Sequence, residues 1–315
     1  MPLISRIMAI VDTNPPINEV PEARLRPIKI ATFNAENFYL LLDREYTQDD
    51  FAALPEDAYM AMNFSIYNPN KERSKIEAIA RTILEEEFDF VGLCEVGGME
   101  TLANFNRYYL GDRYDCFIHE ENSHRGIFVG ALVKKGCFDS VRARNVRGAF
   151  SRNLLRVSLR QGKTHLRIFV VHLKSQHGPD MGIEQRLAEL RQLCSLVDRR
   201  NCVVLGDFNG IAIRGRHQFE YDDFLELPFR DVLEAMDVPE PARFTHFYFK
   251  GGLHFSQLDY IFCSNDLTIL DGGMLCDLVP INYQQRRLLP SDHIFLKATI
   301  QPQRMEEAPL NYRTR

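Results

Sequence analysis

The sequence predicts an α/β protein in which stacked β-sheets are flanked by helices within one domain. Short runs rich in β-branched and aromatic residues recur along the chain, and many are apolar at consecutive positions, as strands covered on both faces are. Only two stretches carry a long helical periodicity. The 315 residues suffice to bury a large core. A hydrophobic content of 45% beside 26% charged residues is globular, which argues against a disordered or membrane-embedded chain.

Residues 1–27, with several prolines and no periodicity, read as an arm. A strand follows at 28–33. Residues 40–70 are acidic, aromatic-rich and aperiodic, consistent with a helix and a long loop. A helix is expected over 72–86, where Ile76, Ile79, Ala80, Ile83 and Leu84 share a face and Lys75, Glu77, Arg81 and Glu85 surround the rest. A second is expected over 182–199 with Ile183, Leu187, Leu190, Cys194 and Val197 as its buried stripe. The other strands fall at 88–94, 127–133, 154–159, 166–171, 202–205, 258–263 and 294–300. The domain is placed at 28–302, with a tail over 303–315.

The seven cysteines lie singly, with no CxxC pair, which argues against a zinc site or a disulfide framework. Cys94, Cys202 and Cys263 fall in strand runs and read as reduced core residues. No run is long enough to span a bilayer, and the N-terminus lacks the h-region of a secretory signal, so a cytoplasmic protein with no membrane partner is expected. A net charge of −5 does not mark a nucleic-acid binder, although a local basic rim can oppose an acidic body.

The chemistry sits where strands end. Asn34, Glu36 and Asn37 follow the first strand, Glu95 the second, and His172 ends the run at 166–171. Gly206-Asp207-Phe208-Asn209 follows 202–205. Asp259 lies within 257–262, and Ser291-Asp292-His293 precedes the last strand. Strand ends are rigid mounts for such groups. Alone, each residue has a structural reading: a solvated carboxylate cap, a buried histidine with its partners, a tight turn. Together, carboxylates without cysteine suit a hard cation such as Mg²⁺, with Glu36 and Glu95 as ligands. Asp, His and Asn can divide the work of orienting water, stabilising phosphoryl oxygens and protonating a leaving group.

This ordered set resembles the endonuclease/exonuclease/phosphatase (deoxyribonuclease I-like) superfamily. The matching motifs are ATFNAENF (31–38), VGLCEV (91–96), RGIFVGALV (125–133), VVHLKSQ (170–176), LGDFN (205–209), QLDYIF (257–262) and PSDH (290–293), in family order. The resemblance implies a four-layer α/β/β/α sandwich of two mixed, mainly antiparallel sheets, with the site at one sheet edge. It implies a Mg²⁺- or Mn²⁺-dependent phosphodiesterase. Glu95 would be the main metal ligand, with Glu36, Asn34 and Asp292 beside the metal. Asp207 would orient or deprotonate water, and Asn209 would bond a phosphate oxygen. His293, braced by Asp259, and His172 would share the acid/base work, and Arg125 and Lys174 would contact phosphate.

The chain has no tryptophan, unlike the abasic-site enzymes, and lacks the 5-phosphatase signature. HLKS at 172–175 is similar to a broad bacterial nuclease-like branch. Basic or polar groups follow three motifs: Lys174 to His177, Arg214 to His217, and Gln284 to Arg287. Arg142, Arg144, Arg147, Arg152 and Arg156 form a further basic stretch, and Phe244, Phe247, Tyr248 and Phe249 are aromatic groups near the site. A nuclease acting on DNA or RNA is the reading these favour. The alternative is a phosphatase or phosphodiesterase for a small-molecule or lipid phosphoester, with residues 40–70 as a lid.

Overall fold

The computed structural model describes residues 26–303, apart from residues 64, 124, 250, 277 and 278. The arm expected over 1–27 lies outside the described residues except for Arg26 and Pro27, as does the tail over 303–315 except for Gln303. In chain order the strands are β1 (Ile28–Phe38), β2 (Phe90–Val96), β3 (Tyr114–Ile118), β4 (Phe128–Lys134), β5 (Ser140–Val146), β6 (Leu154–Gln161), β7 (Thr164–His172), β8 (Cys202–Asp207), β9 (Phe229–Asp231), β10 (His246–Phe249), β11 (Leu253–Ser256), β12 (Asp259–Ser264), β13 (Thr268–Leu275) and β14 (Phe295–Gln301). The helices are α1 (Gln48–Ala52), α2 (Glu56–Ala61), α3 (Arg73–Glu86), α4 (Met99–Tyr109), α5 (Ile183–Leu196), α6 (Asp222–Leu225), α7 (Val232–Ala235) and α8 (Tyr283–Leu288).

Two six-stranded sheets run in the orders β13-β14-β1-β2-β4-β3 and β5-β6-β7-β8-β12-β9, with β10-β11 as a separate hairpin. β1 pairs parallel with β2, and β7 with β8; the other ladders of both sheets are antiparallel. The expected mixed, mainly antiparallel sandwich is present. Its inner core joins Ile30, Phe90 and Val129 of one sheet to Val157, Ile168 and Leu205 of the other. A second core packs α3 and α4 on the first sheet through Ile79, Ile83, Leu102 and Phe105. A third packs α5 and α6 on the second sheet through Leu190, Leu193 and Phe224. Four layers result.

Two glycines set the close approaches. A Cβ on Gly92 would lie 2.3 Å from Leu205 Cδ1, in the gap between the sheets. Gly206, at φ +136°, would bring a Cβ within 2.0 Å of the Val171 carbonyl oxygen, so only glycine fits where β8 carries Asp207 beside β7.

The helix expected over 72–86 is α3, with Ile76, Ile79, Ala80 and Ile83 buried. The second helix departs from its expected stripe: it ends at Leu196, and its buried residues are Arg186, Glu189, Leu190 and Leu193. Burial of two charged groups there follows from their hydrogen bonds. Arg186 donates to Glu220 Oε1 at 2.6 and 3.1 Å and to the Lys174 and Met181 carbonyls at 2.9 Å. Glu189 accepts from the backbone N–H groups of Ser151 and Lys174, both at 2.7 Å. A pattern of apolar residues cannot reveal a face whose polar groups are satisfied in this way. This buried pair of side chains anchors the loop after His172.

Residues 40–70 also depart from expectation. They form α1, α2 and connecting loops, and Leu40, Phe51 and Tyr59 join the core under α3 and α4. Its core residues pack with the first sheet and its helices, and none of its described residues lines the cleft described below.

Asp231, which is not in the lining of the cleft described below, offers a stability test. It caps α7, accepts from Leu233 N and from Gln257 Nε2 at 2.9 Å, and burial pushes its pKa up to about 6. The folded state then holds the proton more tightly than the unfolded chain. Its contribution is complete below the ordinary carboxylate range and is lost as pH rises through 6. Asp231→Asn is therefore expected to stabilise the protein at pH 8 by up to about 3 kcal/mol and to change little at pH 4, as read by urea denaturation.

Candidate active site

The ladders bring the predicted residues together. His172 ends β7 in register with Asp207, which ends β8, and Asp207 in turn faces Asp259 at the start of β12. Residues directly opposite across a ladder share a face, so the three side chains stand side by side. β1 of the other sheet adds Asn34, whose Nδ2 donates to Asp207 Oδ2 at 3.0 Å and whose Oδ1 accepts from Glu36 N at 3.0 Å. The segment entering β14 adds His293, with Ser291 donating to the Asn34 carbonyl and accepting from His293 N.

These groups open onto one cleft of about 810 Å³. Its walls include Asn34, Glu36, Glu95, Arg125, His172, Asp207, Asn209, Asp292 and His293 among the expected residues. Asp259 stands behind His293, its Oδ2 2.6 Å from His293 Nδ1. Lys174 is not in the lining; its backbone N–H and carbonyl are engaged by Glu189 and Arg186. Four residues of the constellation have left-handed backbone: Glu36 (φ 46°), Asn37 (φ 50°), Glu95 (φ 62°) and Asn209 (φ 53°). Such strain concentrates where a side chain must be aimed against local preference.

Burial and neighbours divide the titratable groups. Burial raises the Asp207 carboxyl to about 7, although His293 and the N–H groups of Asn209 and Asn34 pull the other way. Burial works against the charged form of His293, but Asp259, Asp207 and Asp292 outweigh it and hold its pKa well above the ordinary value. His172 is driven well below its ordinary value by burial and then by Arg152, so its imidazole is neutral. His172 Nε2 lies 3.5 Å from Asp207 Oδ2 and 3.9 Å from Glu95 Oε1.

The acidic side of the cleft has the chemistry of a hard-cation site. Glu95 accepts from Asn37 N at 2.9 Å. Glu36 is ion-paired with Arg286, which also lies 3.3 Å from Asp292 Oδ2. The guanidinium thus sits between two carboxylates as a tethered cation. Two sets of side chains hold their ligand atoms within 4.8 Å of one another: His246, Asp292 and His293, and Asp207, Asp259 and His293. Glu36, Glu95 and Asp292 form no such set among the described residues. A Mg²⁺ ion keeps several waters and needs only one or two protein carboxylates, so this oxygen-rich side fits it.

Several cleft residues escaped the sequence reading. His246 opens β10, its Nε2 3.8 Å from Asp292 Oδ2 and its ring 4.7 Å from that of His293; burial drives its pKa down to about 3. Gly251-Gly252 between two aromatic runs was the available hairpin signal. Arg152, read only as part of a basic stretch, is buried in the cleft wall and donates to the Leu173 carbonyl at 3.3 Å. Behind the lining, Lys71 Nζ donates to the Glu36 carbonyl at 3.0 Å, and burial brings its pKa down to about 8. Of the expected basic rim, Ser175, Gln176 and His177 line the cleft. Arg214, Arg216 and His217 instead bind the Leu225 and Phe229 carbonyls, Glu240 and Asp222. Of the aromatic group, Tyr248 lines the cleft while Phe247 is buried in the hairpin base.

A model of the Endonuclease/Exonuclease/phosphatase family matches residues 31–293, the span that carries every one of these residues. The chain belongs to this family. It is accordingly a phosphoric ester hydrolase of a metal-dependent family. Comparison with curated proteins gives no match. Similar solved structures include D. rerio TDP2 complexed with single strand DNA product, at 17% identity, covering 87% of this chain and 98% of that one with a TM-score of 0.57. The human Nocturnin catalytic domain with bound sulfate anion is 18% identical, with 88% and 94% covered and a TM-score of 0.56. An endonuclease/exonuclease/phosphatase from Beutenbergia cavernae is 18% identical, with 88% and 72% covered and a TM-score of 0.58. At these identities the likeness establishes the endonuclease/exonuclease/phosphatase fold. No helix among the described residues is long and apolar enough to cross a membrane.

Proposed function

We propose that this chain is a Mg²⁺- or Mn²⁺-dependent phosphodiesterase acting on DNA or RNA strands. The observation that carries the reading is a single wide cleft joining Asp207, Asn209 and the His293–Asp259 pair to Glu95, with Arg125 and Arg152 on its walls. A cleft of about 810 Å³ with no described residue of 40–70 in its lining suits a section of a long polyanion better than an enclosed small phosphoester. The single-strand DNA product held by D. rerio TDP2 supports the same substrate class.

Glu95, with Glu36, Asn34 and Asp292 beside it, would hold the cation, which supplies Lewis-acid polarisation of a phosphoryl oxygen. Asp207 accepts a proton from the attacking water, and Asn34 and Asn209 aim its carboxylate. His293, kept protonated by Asp259, donates from Nε2 to a phosphoryl or leaving oxygen. His172 is neutral and serves as a hydrogen-bonding group beside Asp207, which makes His293 the general acid.

Arg286 is a resident competitor for the cation. Arg286→Ala is expected to tighten Mg²⁺ binding to the substrate-free protein by about tenfold, since Glu36 and Asp292 lose their neutralising partner. Calorimetric titration checks this, and weaker binding would mean that Arg286 positions the carboxylates.

The substrate assignment is tested by incubating the protein with end-labelled single- and double-stranded DNA and RNA in Mg²⁺, Mn²⁺ or EDTA. Metal-dependent shortening of at least one polynucleotide is expected. Hydrolysis of inositol phosphates or small diesters with no cleavage of any polynucleotide would replace this reading with the small-molecule one.

A further inference from the structure

The outer face of the second sheet is unevenly covered. α5 and α6 pack against Phe169, Val204 and Phe262 of β7, β8 and β12. Over β5 and β6 the outward pair Val146–Leu154 still joins that core, but the outward side chains beyond it are arginines and serines. The register pairs Ser140 with Arg160, Arg142 with Ser158, and Arg144 with Arg156. With His165 of β7 these residues line a shallow concavity of about 350 Å³ that contains no acidic side chain.

Charge balance makes this face unusual. Arg160 has Asp139 as an ion-pair partner, but Arg142, Arg144 and Arg156 have none among the described residues. Arg144 and Arg156 are direct cross-strand neighbours, and like charges placed so are destabilising unless an anion lies between them. The chain as a whole carries −5, so the basic face is a local feature rather than a share of general positive charge. Arg142, Arg144 and His165 are exposed.

We propose that the outer face of β5 and β6 is a second anion site, which takes the phosphate backbone of a nucleic-acid strand outside the catalytic cleft. The proposal rests on the nucleic-acid reading of that cleft. Arg142 and Arg144 stand about 7 Å apart along β5, since a strand rises 3.3–3.4 Å per residue. That is a repeat on the scale of successive phosphates in an extended strand. Guanidinium forks with hydroxyls between them match phosphate oxygens. The apolar residue of its lining, Leu159, is buried in the core between the sheets and is not available for insertion into a lipid layer, which favours nucleic acid over an anionic membrane. β6 also begins two residues after the cleft residue Arg152, and its Arg160 stands about 20 Å beyond Leu154. A strand of moderate length can therefore engage both sites.

The test compares the wild type with the triple variant Arg142→Gln, Arg144→Gln, Arg156→Gln. Binding of a fluorescein-labelled single-stranded oligonucleotide is followed by anisotropy in EDTA over a range of salt. Turnover of bis-para-nitrophenyl phosphate, which reports on the cleft alone, is measured in Mg²⁺. The variant is expected to bind the oligonucleotide roughly tenfold or more weakly, with a log–log salt slope shallower by about 2 to 3. Its small-diester turnover should be unchanged. Equal affinity and slope in the two proteins would overturn the proposal, as would loss of binding to phosphatidylserine vesicles with oligonucleotide binding intact. If the face binds the strand but no polynucleotide is cleaved, the surface assignment stands and the reading of the cleft fails.

Discussion

Asp207→Asn is expected to lower kcat about a thousandfold while leaving the fold intact, because the amide keeps the size of the carboxylate but cannot take a proton from water. Asp207 is buried between Asp259 and His172, with Asn34 and Asn209 donating to it. Its pKa of about 7 sets two signs. In activity, the rate should climb with pH as the carboxyl ionises, and that limb should vanish in the variant. In stability, the folded pKa lies above the unfolded one, so this group's contribution is full below the ordinary carboxylate range and lost as pH rises through 7. The inactive variant should therefore melt higher than the wild type at pH 8 in EDTA. Single-turnover kinetics and a melting series in buffers from pH 5 to 9 read both effects. A variant that keeps wild-type turnover would remove Asp207 from the chemistry.

The second large effect is expected at Glu95. Glu95→Gln preserves an oxygen to accept from Asn37 N, so the left-handed turn at this residue has no reason to change. It removes a charge that, unlike those of Glu36 and Asp292, is paired with no arginine among the described residues. The half-saturating Mg²⁺ concentration should rise about 10- to 100-fold, with partial rescue at high Mn²⁺. A loss of kcat that no metal concentration restores would make Glu95 a group acting on substrate and not a metal ligand.

The part of the fold that was legible in the sequence is the part buried on both faces. β2, β4, β7, β8 and β12 read as apolar runs because both of their sides are largely covered. β5 and β13 have one solvated face, and their alternating polar residues dilute the pattern; the arginines of β5 accordingly read as a basic stretch and not as a strand. The buried face of α5 was hidden because Arg186 and Glu189 replace apolar contacts with satisfied hydrogen bonds.

The site shows the same division. Asn34, Glu95, His172 and Asp207 follow or end recognisable strand runs, His293 precedes one, and the strand pairings bring them to one edge. His246 comes from a hairpin outside both main sheets, and Arg152 from a segment leading into β6. Only the tertiary arrangement reveals that they share a cleft. Lys174 illustrates the reverse. Lys174 was expected among the basic groups after His172; Arg186 and Glu189 hold its backbone under α5, and it is not in the cleft lining.

The most direct test of the account is a crystal grown with Mn²⁺ and a short single-stranded oligonucleotide carrying a hydrolysis-resistant phosphorothioate. The account predicts anomalous density for the metal against Glu95, with the phosphorothioate beside it and contacted by His293 Nε2 and Asn209. Metal bound only by His246, Asp292 and His293, or a cleft that holds no phosphate of the oligonucleotide, would contradict it.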